Sequence, residues 1–170
     1  KLLGNEITIT LIESDEIGTV GVGEATIPPI RTFHKLLGID EQRFMTQTQA
    51  TFKLGISFEN WHKPKSDYIH SFGMTGKECW AGEFHHFWLH AQNQGVKDDF
   101  GDYCYELQAA KHGKFGFNKQ NPINYAFHLD ANRYALFLRD FAEQHSVKRI
   151  EGKIEHINKS ATNGFIESVT

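Results

Sequence analysis

The apolar positions change period several times along the chain, and each change marks an element. From Ile7 to Ile12 a nearly continuous, β-branched run ends at Glu13, the pattern of a strand covered on both faces. Lys1 to Glu6, closed by Gly4, reads as the last turn of a helix. Helix followed by buried parallel strand is the second half of a βαβ unit, which places a first strand before Lys1. Ile17 to Pro29 carries Gly18, Gly21, Gly23, Pro28 and Pro29, a loop shaped by its backbone. Ile30, Phe33 and Leu37 then fall at helical spacing until Gly38, and Asp40 is placed to cap a short helix carrying Phe44 and Met45. Over residues 52–58 the period drops to two. Phe52, Leu54, Ile56 and Phe58 alternate with Lys53, Gly55, Ser57 and Glu59, which predicts one strand with one apolar face.

Residues 60–82 read as a loop-rich excursion holding Trp61, Tyr68, Phe72 and Trp80, followed by a helix over 83–94 and a weaker one over 98–111. Turn residues gather from Asn118 to Asn124. Asp130 can cap a helix whose Tyr134, Leu138, Phe141 and Ala142 form one stripe. Short strands over 148–150, 153–158 and 165–169 follow, the last two turning at Asn163-Gly164. No repeat or low-complexity tract marks an internal boundary. The 170 residues amount to one domain or a piece of a larger one.

Charge narrows the partners. Lys+Arg 18 against Asp+Glu 21 leaves no basic excess for nucleic acid or an anionic membrane. No apolar run reaches the roughly 18 residues that span a bilayer, and no signal-peptide zones open the chain, so a cytoplasmic location is expected. Cys79 and Cys104 make neither a disulfide framework nor a four-thiolate zinc site. The unusual feature is aromatic content: 14 Phe, 5 Tyr and 3 Trp beside 10 His, enough to fill a core and line a pocket for a flat ligand.

Four places carry candidate chemistry. Glu13 ends a predicted buried strand, where an acid in a dinucleotide-binding fold bonds ribose hydroxyls and elsewhere is an ordinary surface acid. Gly21-Val22-Gly23-Glu24-Ala25 lets backbone approach a ligand, or is a plain glycine turn. Lys53 stands on the strand face opposite Phe52, Leu54 and Ile56, with small Gly55 and Ser57 beside it; such a lysine is usually solvated. His86 and His90 have the i, i+4 spacing of two ligands on one metal, but no third ligand is assigned and no metal is expected.

Several segments together resemble the flavin-dependent tryptophan halogenases over nearly the whole chain. They are Leu11-Ile12-Glu13-Ser14, the Gly21 to Pro28 loop, Leu37-Gly38-Ile39, Ala50 to Ile56, Ile69-His70-Ser71-Phe72-Gly73, Phe87-Trp88-Leu89 and Phe127-His128-Leu129-Asp130-Ala131. The resemblance implies an α/β, Rossmann-like FAD-binding fold of the flavin monooxygenase type with an intertwined aromatic-substrate domain. Residues 1–170 would form part of the FAD-binding domain, with 60–125 contributing substrate-side elements. The family's glycine fingerprint would fall before Lys1 and its Trp-x-Trp-x-Ile-Pro motif after Thr170. By the same resemblance Glu13, Ser14 and Ile17 meet the adenosine ribose, Gly23, Glu24 and Ala25 the flavin, and Ile154 the adenine. Lys53 matches the catalytic lysine, and His70 and Phe72 the residues that sandwich an indole. The implied activity is halogenation of tryptophan or another indole, with FAD supplied reduced by a separate flavin reductase, halide as co-substrate and room for a homodimer. A flavin-dependent monooxygenase without halide chemistry, or a non-catalytic aromatic-ligand-binding relative, are the alternatives.

Overall fold

The computed structural model describes residues 7–18, 25–118, 120 and 122–170. In chain order the elements are β1 (Thr10–Glu13), α1 (Pro29–Leu37), α2 (Glu41–Thr48), β2 (Thr51–Lys53), β3 (Gly55–Phe58), β4 (Tyr68–Ser71), α3 (Phe84–Asn93), α4 (Tyr105–Lys111), β5 (Ala126–His128), α5 (Ala131–Glu143), β6 (Lys148–Glu151), β7 (Ile157–Lys159) and β8 (Ile166–Val169), with a 3-10 turn over Phe100–Tyr103 before α4. The strands form four pairs: β1 with β6 in parallel, and β2 with β5, β3 with β4 and β7 with β8 antiparallel.

The expected strand ends at Glu13 as read, and its parallel partner runs Thr10 against Lys148 through Glu13 against Glu151. Its burial does not follow the expectation. Ile7, Ile9 and Leu11 are exposed, because a β-branched run gains cover only from neighbouring layers and β1 has one partner strand among the described residues. The helices start and stop where local chemistry directs. Asp40 and Asp130 accept the backbone N–H of Arg43 and Arg133 at 2.8 and 3.1 Å, and Gly38 closes α1 in the left-handed region at φ 72°. The inward face of α1 differs from the reading: Phe33 is exposed, and the buried residue is His34, 4% exposed.

The core gathers Phe44, Leu54, Ile123, Tyr125, Phe127, Leu129 and Phe137. Phe44 meets Phe127 and Phe137 edge-to-face, with centroids 5.0 and 5.9 Å apart. His34 joins this cluster at 4.4 Å from Phe44, and its Nε2 lies 2.9 Å from the Tyr134 hydroxyl. On α5 the innermost side chain is Phe137, while the predicted stripe of Tyr134, Leu138, Phe141 and Ala142 is half-buried around it.

The single strand expected over 52–58 is two. β2 pairs with β5, Thr51 opposite His128 and Lys53 opposite Ala126, whereas β3 pairs with β4, Gly55 opposite Ser71 and Phe58 opposite Tyr68. The change of partner falls at Leu54, whose carbonyl accepts the N–H of Phe72 at 2.8 Å. Gly55 is small for β4: a Cβ there would stand 2.6 Å from the His70 carbonyl oxygen and 2.9 Å from the Ser71 Cα. At the C-terminal hairpin, β7 spans less than the expected 153–158, and Gly164 turns the chain at φ 75°.

Candidate active site

Lys53 is 8% exposed, buried together with its neighbour Leu54, which a continuous strand would have put on the opposite face. Its Nζ donates to the Thr26 carbonyl at 3.0 Å and stands 5.5 Å from the centre of the Phe72 ring. Thr26 is itself fixed on β5. Its N–H and hydroxyl both donate to the Phe127 carbonyl, at 2.9 and 3.1 Å, and its hydroxyl oxygen accepts the Phe127 N–H at 3.0 Å. Ala25 extends this contact by bridging to His128. A buried amine is thus held between the segment at 25–26 and an aromatic ring at 72. Burial draws Lys53 below the ordinary lysine range, toward a state in which it can give or take a proton.

His128 belongs to the same face. Residues opposite one another in an antiparallel pair share a side of the sheet, as do residues two apart on one strand. Thr51, Lys53, Ala126 and His128 therefore lie together, with Lys53 and His128 on the diagonal. Burial first, and the Lys53 charge second, lower the pKa of His128. His128 lies in one of the segments that carry the resemblance, but no spacing along the chain links it to Lys53; the strand register does.

A second polar cluster stands at the carboxyl end of β1. Arg149 Nε donates to Glu13 Oε1 at 2.7 Å, and Arg139 Nε approaches the same oxygen at 2.7 Å without hydrogen-bond alignment. Both arginines also donate to Asp15, and Arg149 pairs with Glu151. The Arg149 hydrogen bond holds the Glu13 carboxyl below the usual carboxylate range, against a smaller opposing effect of burial. The Glu13 side chain keeps 35% exposure, and no hydrogen bond from the described residues reaches its Oε2. An open carboxylate oxygen at the end of a parallel strand suits a ribose diol, so the residues present fit a dinucleotide cofactor at this point.

The other expected residues are distributed around these two centres. Ser14 turns the chain, its Oγ accepting the Glu16 N–H at 3.2 Å and its carbonyl the Ile17 N–H at 3.2 Å. Ile17 and Ile154 are exposed, the latter between β6 and β7. Gly21, Gly23 and Glu24 lie outside the described residues. His70 pairs with Ile56 and lines a groove of about 760 Å³ with Ser57, Tyr68, Ser71 and Phe100. No ring contact joins it to Phe72 among the described residues. The rings of His85 and His86 lie 3.9 Å apart and tilted at 41°, and among the described residues no three potential ligands gather for a metal. No helix among them is long and apolar enough to cross a membrane.

Comparison with known proteins adds the family. The tryptophan halogenase model matches residues 1–170. A flavin-dependent halogenase from Xanthomonas campestris, Xcc4156, superposes with a TM-score of 0.91 at 56% identity, over 99% of this chain and 34% of that one. BrvH, a flavin-dependent halogenase from Brevundimonas sp. BAL3, superposes with a TM-score of 0.83 at 37% identity, over 96% and 33%. The tryptophan 7-halogenase RebH of Lentzea aerocolonigenes is 35% identical over 99% of this chain and 35% of its own length. The chain therefore spans about a third of the length of these relatives. Its mixed α/β architecture is that of a Rossmann-like piece of the flavin-dependent halogenase fold. With the match running from Lys1 to Thr170, the chain belongs to the tryptophan halogenase family.

Proposed function

We propose that the intact protein is an FAD-dependent halogenase of tryptophan or another indole, and that Lys53 delivers the halogen. The observation that carries this reading is the seat of Lys53, a buried amine tied to Thr26 on one side and set beside Phe72 on the other. Residues 1–170 contribute part of the FAD-binding domain, and 60–125 the substrate side. Glu13, Ser14 and Ile17 would hold the adenosine ribose, Gly23, Glu24 and Ala25 the flavin, and Ile154 the adenine. When bound, FAD reduced by a separate flavin reductase would supply two electrons and two protons to oxygen, which with halide and a third proton gives hypohalous acid and water.

Lys53 then acts on the hypohalous acid. An ammonium hydrogen-bonds its oxygen and polarises the oxygen–halogen bond; a neutral amine displaces the oxygen from the halogen, forming a haloamine and releasing water with one amine proton. In either form the ring carbon of the indole gives an electron pair to the halogen. The oxygen or nitrogen that held it leaves with the other pair, and the ring proton departs to a base. Phe72, with His70 nearby in the chain, presents the flat face that steers the ring.

The test is Lys53→Met in the full-length protein, which removes the amine and keeps most of the length. Product formation should vanish, with FAD affinity and oxygen consumption by the reduced flavin within about twofold of the parent. A variant that still halogenates an accepted indole at the parent rate overturns the role of Lys53. Hydroxylated product from the parent protein, with no halogenated product at saturating halide, overturns the halogenase reading itself.

A further inference from the structure

Residues 25–26 lie along the edge of β5 away from β2 and run antiparallel to it, with Ala25 opposite His128. That register sets Thr26 opposite Phe127. The Thr26 N–H donates to the Phe127 carbonyl at 2.9 Å, the first half of a hydrogen-bonded pair. A regular ladder closes such a pair with the reciprocal bond, in which the Phe127 N–H donates to the Thr26 carbonyl. The Phe127 N–H goes instead to the Thr26 hydroxyl oxygen at 3.0 Å, while that hydroxyl donates to the Phe127 carbonyl at 3.1 Å. The side chain of Thr26 thus stands in for its own carbonyl on β5.

The displaced carbonyl has one donor among the described residues, the Lys53 Nζ at 3.0 Å. Lys53 starts from the opposite edge of β5, so its chain spans that strand on the face carrying Ala126, which is buried and the smallest side chain of β5. At 8% exposure its nitrogen needs a partner from the protein. A carbonyl drawn into the ladder would aim at Phe127 in the plane of the sheet, turned from an amine that arrives over the face. One hydroxyl therefore decides between a regular ladder and a seat for the amine.

We propose that the Thr26 hydroxyl is a positioning group for Lys53: by taking the Phe127 N–H it frees the Thr26 carbonyl and so fixes the direction of the amine. As a statement about turnover this deepens the halogenase reading and rests on it; as a statement about the seat of Lys53 it does not. The test compares the full-length parent with Thr26→Val, which keeps the branched shape without the hydroxyl, and Thr26→Ser, which keeps the hydroxyl. The first measurement is the rate at which acetic anhydride acetylates each lysine, read by peptide mass spectrometry. In Thr26→Val the carbonyl can return to the Phe127 N–H, so Lys53 should be acetylated at least about fivefold faster, with the other lysines within about twofold of the parent. Thr26→Ser should bring Lys53 back to within about threefold of the parent rate. Parent-rate acetylation of Lys53 in Thr26→Val, equal acceleration at every lysine, or a Thr26→Ser rate matching that of Thr26→Val overturns the proposal.

The second measurement is halogenated product per oxygen consumed, with escaping hypohalous acid trapped by monochlorodimedone. Thr26→Val should lower the ratio about tenfold and raise the escape, and Thr26→Ser should recover most of the ratio. An unchanged ratio in Thr26→Val, with Lys53 freed, overturns the positioning role in turnover. A freed Lys53 in Thr26→Val, when the parent itself halogenates no indole, would overturn the halogenase reading and leave the seat of the lysine standing.

Discussion

A buried amine beside an imidazole makes the charge of one a condition for the other. His128 titrates low because of burial and, second, because of Lys53. In Lys53→Met the second cause disappears and the first remains, so the His128 pKa should rise partway toward 6.5. NMR titration of the His128 ring protons in parent and variant reads this directly; an unchanged midpoint would break the electrostatic link inferred from the register. The Glu13 carboxyl is likewise held low by the cation beside it. Its contribution to stability is therefore present above the ordinary glutamate value of 4.5 and is lost as pH falls through the folded value. Arg149→Gln removes the main hydrogen bond that aims Glu13. FAD affinity should then fall about tenfold, read by flavin fluorescence quenching, with no change in the halogen product from enzyme saturated with FAD.

At the scale of elements, the turn from one ladder to another at Leu54 depends on a missing side chain. Gly55→Ala would drive a methyl into the β4 backbone at His70 and Ser71, atoms that cannot rotate aside. The loss should be about 2 kcal/mol in urea unfolding, with FAD affinity unaffected. This break also explains why part of the site was not legible. Alternation of apolar residues reports two faces and is silent on which strand supplies the hydrogen bonds, so Lys53 and Leu54 read as opposite when both are buried. What depends on near neighbours was legible: the Asp40 and Asp130 caps, the Gly38 stop and the strand end at Glu13. What depends on distant partners was not. His34 is buried because Tyr134 lies 100 positions away, Glu13 is clasped by arginines at 139 and 149, and Glu106 is closed by Gly73 and Asn124. The assignment of Lys53 to chemistry came from the resemblance; composition and spacing alone favoured a solvated lysine.

For the molecule as a whole, one polar ring sits in the aromatic core, and it sets the acid limit. Burial lowers the His34 pKa, so between its folded value and 6.5 the unfolded chain binds more protons than the folded one. Stability should therefore decline as pH falls below about 6.5, and His128 adds to the same slope. Urea midpoints between pH 7.5 and 5 should drop less steeply in His34→Gln than in the parent; parallel curves would show that the decline comes from elsewhere. The tether at the other end of this core has a stereochemical consequence. Thr26 can accept from Lys53 whether the nitrogen carries three hydrogens or two, so the side chain keeps its bearing when it loses its proton. With one N–H committed to the Thr26 carbonyl, the lone pair of the neutral amine is confined to a cone directed away from residue 26. The nitrogen is then a nucleophile with a chosen front, and an incoming halogen meets its electron pair without waiting for the side chain to turn.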